Sequence, residues 1–356
     1  MKAYSSLKIF HHKDYLDAIE KNEIKAPIYI RLKPTNFCNH HCSYCTYGSG
    51  NTDNRTTNRD IISHTDVIPW NKLQEILFDF IDMGVKAITF SGGGEPLTYP
   101  HIVDAVNLVN EGNMSCSLIS NGQLLCGEIA EAFYGAKWVR ISFDSPIEEE
   151  YCRIRRVSPR AFNMVCDNLR SFSRNKSTDC TLGVNFVVSK DNFRHVYRAA
   201  ELLRELGVNN IKFAAVVSNT PNYHEEICEE VIEQIKSAKK DFESDVFQII
   251  NNYEGDCHDK QFLEQPFKRC FTCKLVSVVG ADQKVYLCHT RAYDEGAVIG
   301  DLKSMSFKQL WFSDATRRKL DLLDPVESCR NFCAYQDRNE MINAYFDIDY
   351  NHLDFI

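Results

Sequence analysis

Short apolar runs alternate with amphipathic stretches along the chain from about residue 27 to residue 217. The runs are rich in β-branched and aromatic residues, which predicts six strands, at 27–32, 86–90, 115–119, 138–143, 181–188 and 211–217. Helical spacing of apolar residues predicts the helices between them, at 70–83, 101–110, 128–134, 160–173 and 193–206. Gly84 follows the first of these helices as a predicted C-cap. This alternation indicates a parallel sheet and an α/β fold. Six such units favour a partial (β/α)6 TIM-like barrel over a flat doubly wound sheet.

The pattern changes after the sixth strand. A charged amphipathic helix is predicted at 225–238, and residues 239–265 look polar and irregular. A hairpin is predicted at 275–288, turning at 280–283, and a helix ends the chain. We therefore predict three regions: an N-terminal extension at 1–26, a core domain at 27–240 and a small cysteine-rich α+β extension at 241–356.

Composition narrows the class of protein. Apolar residues make up 44% and charged residues 25%, as in an ordinary globular protein, and the formal net charge is −8. That charge argues against nucleic acid as the main partner, because phosphate binding needs a basic face. The one basic run, at Arg153, Arg155 and Arg156, is either a local basic patch or a solvated helix start.

The distribution of apolar residues predicts a cytoplasmic protein with no membrane partner. Residues 1–10 lack a continuous apolar stretch, and no run of about 18 apolar residues occurs anywhere. The chain has 15 cysteines, and structural disulfides are not expected in a reducing compartment. Metal or cluster ligation is then the leading explanation for those cysteines that cluster.

Cys38, Cys42 and Cys45 follow the first predicted strand with the spacing C-x3-C-x2-C. Three thiolates on one loop can ligate three irons of a [4Fe–4S] cluster, whereas four would fill every iron site. One iron then stays open to a small molecule, by the same logic as an open catalytic zinc site. A zinc site is an alternative, since His40 and His41 are near, although zinc more usually draws on paired C-x2-C elements.

A glycine run follows the second predicted strand, in Ser91-Gly92-Gly93-Gly94-Glu95-Pro96. Consecutive glycines let a backbone approach a ligand closely. On its own this run is also compatible with a simple strand-to-helix turn.

Together the two motifs resemble the radical S-adenosylmethionine (SAM) superfamily, in the order and at the strand positions that this family uses. The resemblance implies a SAM-binding [4Fe–4S] cluster on the three cysteines. It also implies that Gly93 to Pro96 holds the amino group of SAM, with Glu95 and nearby carbonyls as acceptors. Tyr44, the aromatic residue before the third cysteine, either packs on the adenine or serves loop packing.

Further SAM contacts are expected at the carboxyl ends of later strands, where parallel β/α folds bind ligands. The candidates are Ser120, Asn121, Ser142, Asp144 and Asn185. Asp144 or Ser142 would bind the ribose hydroxyls. Alternatively, Asp144 and Ser145 cap a helix whose first residue is Pro146.

The tail carries five further cysteines, at Cys270, Cys273, Cys288, Cys329 and Cys333. The hairpin brings Cys273 close to Cys288. This region resembles the twitch and SPASM extensions, which house auxiliary [4Fe–4S] clusters, and it has too few cysteines for a full SPASM domain. Cys273, Cys288 and Cys333 are the expected ligands, with Cys270 and Cys329 competing for the fourth place. A structural zinc is the alternative.

The other seven cysteines are scattered, and most are expected to be small buried hydrophobic residues. They are at positions 116, 126, 152, 166, 180, 228 and 257. Cys152 or Cys257 is a less favoured candidate for a hydrogen-atom donor to a substrate radical.

The resemblance implies reductive cleavage of SAM to a 5′-deoxyadenosyl radical, which abstracts a substrate hydrogen, with electrons from a flavodoxin- or ferredoxin-type donor. Because residues 1–26 leave little room for a leader-binding domain, a small polar metabolite such as a sugar derivative is the expected substrate. A ribosomal peptide is the runner-up. A non-catalytic iron–sulfur electron carrier and a zinc-binding interaction protein remain as alternatives of other classes.

Overall fold

The computed structural model describes residues 5–47, 62–218, 220–257, 265–329, 333–352 and 354. Ten strands form one sheet: β1 Tyr29–Leu32, β2 Ala87–Phe90, β3 Ser115–Ser120, β4 Trp138–Ser142, β5 Thr181–Val188, β6 Asn210–Ala215, β7 Gln248–Asn251, β8 Val276–Val279, β9 Lys284–Tyr286 and β10 Val298–Asp301. All six strands of the predicted alternation are present.

The sheet order is β10-β9-β8-β1-β2-β3-β4-β5-β6-β7. Strands β1 to β7 pair in parallel, and β8 pairs in parallel with the other edge of β1. Strands β9 and β10 complete the sheet in antiparallel pairs. The predicted α/β fold with a parallel sheet is therefore confirmed. In the described part of the chain the sheet is open, with β10 and β7 as its edges.

Helices separate the strands. The α-helices are α1 Lys13–Glu20, α2 Trp70–Met83, α3 Ile102–Glu111, α4 Gly127–Phe133, α5 Glu148–Arg155, α6 Pro159–Asn175, α7 Val196–Glu205, α8 Cys228–Phe242, α9 Tyr253–Asp256, α10 Phe307–Trp311, α11 Asp314–Asp321, α12 Pro325–Ser328 and α13 Gln336–Phe346. Short 3-10 turns lie at Ser6–His11, Pro96–Thr98, Phe193–His195, Thr272–Lys274, Glu295–Ala297 and Tyr350–His352. Gly84 ends α2 in the left-handed conformation, with φ of 76°, as its C-cap prediction requires.

Strand periodicity gives the sheet two different faces. On one face, Ile30, Leu32, Ile88 and Phe90 are fully buried and belong to one core cluster with the apolar side of α2. The opposite face, which we call the inner face, carries polar side chains. Tyr29 donates a hydrogen bond of 2.8 Å to Thr89, which in turn pairs with Ser117 at 2.6 Å.

The prediction for residues 239–265 was wrong in part. Helix α8 extends to Phe242, and Gln248–Asn251 forms β7, which pairs in parallel with β6. Its four residues are too few to show a clear alternation, so pairing with β6 decides its conformation. The domain boundary near residue 240 stays a prediction, and the sheet itself continues past that point.

The tail packs against the first helix of the core. Phe307 of α10 meets Phe80 of α2 edge to face at 4.8 Å between ring centroids, and both side chains are fully buried. Trp311 donates a hydrogen bond of 2.8 Å from its indole nitrogen to the carbonyl of Lys25. Elements from both halves of the sequence therefore share one hydrophobic core.

This shared core predicts that a tail mutation destabilises the whole protein. Phe307→Ala should lower the free energy of unfolding by about 3–5 kcal/mol, because it leaves a cavity against Phe80. Phe312→Ala is the matched control, since Phe312 is 47% exposed, and should change it by less than about 0.5 kcal/mol. Urea unfolding followed by circular dichroism measures both. Equal stability of the two variants would contradict the shared core.

Candidate active site

The three-cysteine loop leaves the carboxyl end of β1 and rests on the end of α5. The amide of His41 donates to the carbonyl of Arg155 at 3.1 Å, and the amide of Ser43 donates to that of Ile154 at 2.9 Å. All three cysteines, Cys38, Cys42 and Cys45, are free thiols and partly buried. Burial raises the pKa of Cys38 to about 12 and that of Cys42 to about 11.

The glycine loop after β2 lies directly on the entry to the cysteine loop. The amide of Gly94 donates to the carbonyl of Thr35 at 3.3 Å, and that of Glu95 donates to Phe37 at 2.8 Å. A Cβ atom on Gly94 would lie 2.0 Å from the carbonyl oxygen of Phe37, and one on Gly93 would lie 2.4 Å from Asn36 Oδ1. The two motifs are therefore in contact, and the contact itself requires glycine.

Glu95 connects this loop to the next strand. Its Oε1 accepts from the amide of Leu97 at 3.1 Å and from Ser120 Oγ at 2.7 Å, and its Oε2 accepts from the amide of Asn121 at 2.7 Å. The carboxylate is 2% exposed, and this burial raises its pKa. Asn121 reaches back to the cysteine loop, donating from Nδ2 to Asn39 Oδ1 at 2.7 Å.

Asp144 has protein partners on both carboxylate oxygens. Its Oδ2 forms an ion pair with Arg155 and accepts from the Tyr44 hydroxyl, and its Oδ1 accepts from the amide of Val187 at 3.2 Å. The predicted helix cap is wrong, because α5 begins at Glu148 with Ile147 as its N-cap and no side-chain cap. The Oγ of Ser145 instead accepts from the amide of Ile147 at 3.0 Å.

Arg155 is neither part of a basic patch nor solvated, so both interpretations of the basic run fail for it. The residue is 2% exposed and lies beneath the cysteine loop. Its Nε is buried with no hydrogen-bond partner among the described residues. Arg153, by contrast, is exposed and pairs with Asp191 at 2.6 Å. The sequence signal for Arg155 is its place at the end of a short helix, four residues after the equally buried Tyr151.

Four other residues were predicted to contact SAM: Ser142, Asn185, Pro96 and Tyr44. Ser142 ends β4 and is in register with Asn185 of β5, both on the inner face. Pro96 begins the short turn after Glu95. The Tyr44 hydroxyl donates a hydrogen bond to Asp144, and this bond fixes the position of the Tyr44 ring.

The five tail cysteines line a single pocket with a cavity volume of about 20 Å³. Arg291, Tyr335 and Asn339 also line it, and Asn339 Nδ2 donates to Cys270 Sγ at 3.6 Å. Burial raises the pKa of Cys288 to about 12 and that of Cys333 to about 11. The structure thus brings together every tail cysteine that the sequence analysis proposed, including both Cys270 and Cys329.

The expectation that the chain contains no structural disulfide was wrong. Cys228 and Cys257 form a disulfide, with 6.1 Å between their Cα atoms. Cys257 is therefore not a free thiol that could donate a hydrogen atom. The pair joins the start of α8 to the end of α9, a proximity that sequence spacing does not reveal.

Part of the chain matches the model of a known protein family. Residues 32–188 match the model of the Radical SAM superfamily, from the end of β1 to the end of β5. This match and the relatives below confirm the superfamily resemblance, and the family implies SAM and a [4Fe–4S] cluster as cofactors. Within the described residues, no helix has the length and apolarity to cross a membrane.

Two curated proteins from different organisms are similar to this chain. The chain is 23% identical over 309 residues to the tungsten-containing aldehyde ferredoxin oxidoreductase cofactor-modifying protein of Pyrococcus furiosus, covering 80% of this chain and 81% of that protein. It is 26% identical over 189 residues to the AdoMet-dependent heme synthase of Methanosarcina barkeri, covering 51% of this chain and 48% of that protein. The chain thus aligns with about half of the second relative.

Solved structures share the fold. Streptococcus suis SuiB bound to S-adenosylmethionine matches with a TM-score of 0.64 and 13% identity, over 95% of this chain and 78% of SuiB. The anSMEcpe protein with bound AdoMet matches with a TM-score of 0.61 and 16% identity, over 92% of this chain and 97% of that one.

The contact between the two loops generates a direct test. Gly94→Ala should lower the free energy of unfolding by about 1–3 kcal/mol, because the new Cβ forces the loops apart. Reconstituted Gly94→Ala should also retain less iron than wild type. Gly135→Ala is the control, since a Cβ there meets nothing within 4 Å. If both variants match wild type in thermal unfolding and iron content, the glycine does not hold the loops together.

Proposed function

We propose that this chain is a radical SAM enzyme that abstracts a hydrogen atom from a small polar metabolite. The observation that carries the proposal is the contact between the glycine loop and the entry to the cysteine loop, made by the backbone hydrogen bonds from Gly94 to Thr35 and from Glu95 to Phe37. When bound, the cluster and SAM supply a 5′-deoxyadenosyl radical through reductive cleavage of the sulfonium.

The residues present fit these cofactors. Cys38, Cys42 and Cys45 would hold three irons of the cluster and leave the fourth for SAM. A zinc site more usually draws on paired C-x2-C elements, so the C-x3-C-x2-C spacing of this loop favours a cluster.

The two charged groups of the methionine moiety have candidate partners of opposite sign. Glu95 accepts three hydrogen bonds from the protein, which leaves acceptor capacity on Oε2 for the ammonium. The orphaned Nε of Arg155 is a suitable donor to the carboxylate. The carbonyls of Gly93 and Gly94 are the other candidate acceptors for the ammonium, since Lys33 already donates to that of Gly92.

The ribose and adenine need other groups. Because Asp144 has partners on both oxygens, we assign the ribose hydroxyls to Ser142 rather than to Asp144. Asp144 then orients Arg155 and Tyr44 and keeps the guanidinium charge compensated.

The tail pocket would house an auxiliary [4Fe–4S] cluster. Four of its five cysteines suffice for a fully ligated cluster, and the fifth is a spare or an alternative ligand. Asn339 and Arg291 would donate to ligand sulfur, and such contacts tune the cluster potential. Such a cluster would take up an electron from a substrate radical, making the net reaction an oxidation. A flavodoxin- or ferredoxin-type protein would supply the electrons.

A peptide substrate is the second candidate. One curated relative, 25% identical over 190 residues, is the PqqA peptide cyclase of Gluconobacter oxydans. A SuiB structure of the same fold is described as bound to the precursor peptide SuiA.

The primary test is SAM cleavage. Anaerobically reconstituted wild type should release 5′-deoxyadenosine from SAM with dithionite, and Cys42→Ala should lose this release because one cluster ligand is gone. Cys126→Ala is the control, since Cys126 is an exposed free thiol. No release from iron-loaded wild type would favour the electron-carrier alternative.

The tail cluster has its own test. Wild type should bind about eight irons per chain, and Cys288→Ala should retain about four, since one of two cubane clusters is lost. Cys180→Ala, a buried cysteine outside both groups, should keep the full content. Metal analysis that finds zinc in wild type, with iron unchanged in Cys288→Ala, would instead make the tail a zinc site.

A further inference from the structure

The inner face of the sheet carries an excess of positive charge. Arg31 follows Tyr29 on this face, Lys33 continues it just beyond β1, and Arg140 and Lys212 occupy it on β4 and β6. No position of this face within the described strands β1 to β8 carries Asp or Glu. Just beyond β4, Asp144 continues the same alternation, and it is paired with Arg155. The strand positions of this face therefore carry cations and no anion.

Lys33 is the most buried of these cations. It is 1% exposed, and its ammonium donates to the Tyr47 hydroxyl at 3.0 Å and to the carbonyl of Gly92 at 3.2 Å. It also lies 4.2 Å from the centroid of the Tyr47 ring and 5.2 Å from that of Tyr293. All of these partners are uncharged.

Arg31 has the same character. Its Nε donates to the Tyr29 hydroxyl at 3.1 Å, and its side chain is partly buried. Neither Arg31 nor Lys33 forms an ion pair within the described residues. A buried charge without a counter-charge is costly, so two such charges on neighbouring positions indicate a place for an anion.

Neutral polar groups surround the two cations. His289 is partly exposed, and its Nδ1 is buried without a hydrogen-bond partner in the described part of the chain. The hydroxyls of Tyr29 and Thr89 line the same face.

We propose that the substrate carries an anionic group, a phosphate or a carboxylate, that binds between Arg31 and Lys33 on the inner face beside β1. The inference rests on the proposed function and specifies its substrate class. Because Lys33 also holds the carbonyl of Gly92, the bound anion would place the rest of the substrate next to the glycine loop.

This site differs from the one proposed for the SAM carboxylate. Arg155 stands against Asp144 and Tyr44 beneath the cysteine loop, whereas Lys33 contacts Gly92 and Tyr47. The two groups of cations have no partner in common among these contacts. The proposed anion site is therefore built from other residues than the site for the SAM carboxylate.

The test uses the reconstituted, SAM-loaded protein and two probes, orthophosphate and succinate, at constant ionic strength. Calorimetry should detect binding of one probe to wild type, which identifies the phosphate or the carboxylate as the preferred group. Lys33→Gln and Arg31→Gln should each weaken that binding about tenfold to a hundredfold, as expected from losing a charged hydrogen bond. Lys33→Arg should recover part of it, and Lys236→Gln, at an exposed pair with Glu233, should not change it.

Three results would overturn the proposal. They are no binding of either probe to loaded wild type, equal binding by wild type and both Gln variants, or weaker binding of SAM with probe binding unchanged. Circular dichroism and iron content check the folding of each variant, and Arg31→Gln carries the test if Lys33→Gln does not fold. Release of 5′-deoxyadenosine by wild type without added substrate is measured separately, so failure of the proposed function is distinguishable.

Discussion

Two backbone hydrogen bonds, from Gly94 to Thr35 and from Glu95 to Phe37, hold the glycine loop on the cysteine loop. They form only because the backbones approach to a distance that leaves no room for a Cβ on Gly94. Everything else in the candidate site follows from this contact. Glu95 accepts a hydrogen bond from the amide of Asn121 at the end of β3, and Asn121 in turn donates to Asn39 in the cysteine loop.

The region beneath the cysteine loop and the inner face beside β1 differ in whether their cations have a counter-charge. Beneath the cysteine loop, Asp144 compensates Arg155 in a buried pair, so that this region is electrically balanced before any cofactor binds. On the inner face beside β1, Arg31 and Lys33 have only neutral partners among the described residues. A buried pair is kept together by the cost of separating it, whereas an uncompensated pair of cations attracts an anion. Asp144 therefore holds Arg155 in place beneath the cysteine loop, whereas the two cations beside β1 suit the binding of an anion.

Strand β1 links the two groups of cysteines. It pairs with β2, which carries the glycine loop, and with β8, which leads from Cys273 into the tail hairpin. Its own carboxyl end leads into Cys38. The side chains of β1 that point to the inner face therefore lie between the cysteine loop and the tail pocket.

The sequence by itself determined the strand and helix order, the cysteine spacing and the glycine run, because each depends on local periodicity or on the sterics of one residue. It also indicated that the tail cysteines belong together. Only the tertiary structure decided that Asp144 pairs with Arg155, that β7 joins the sheet and that Cys228 meets Cys257. These features depend on contacts between segments that are distant in sequence, and local sequence patterns do not predict which distant segments meet. The lack of a counter-charge beside Lys33 was also visible only in the structure, because it depends on which residues surround the buried side chain.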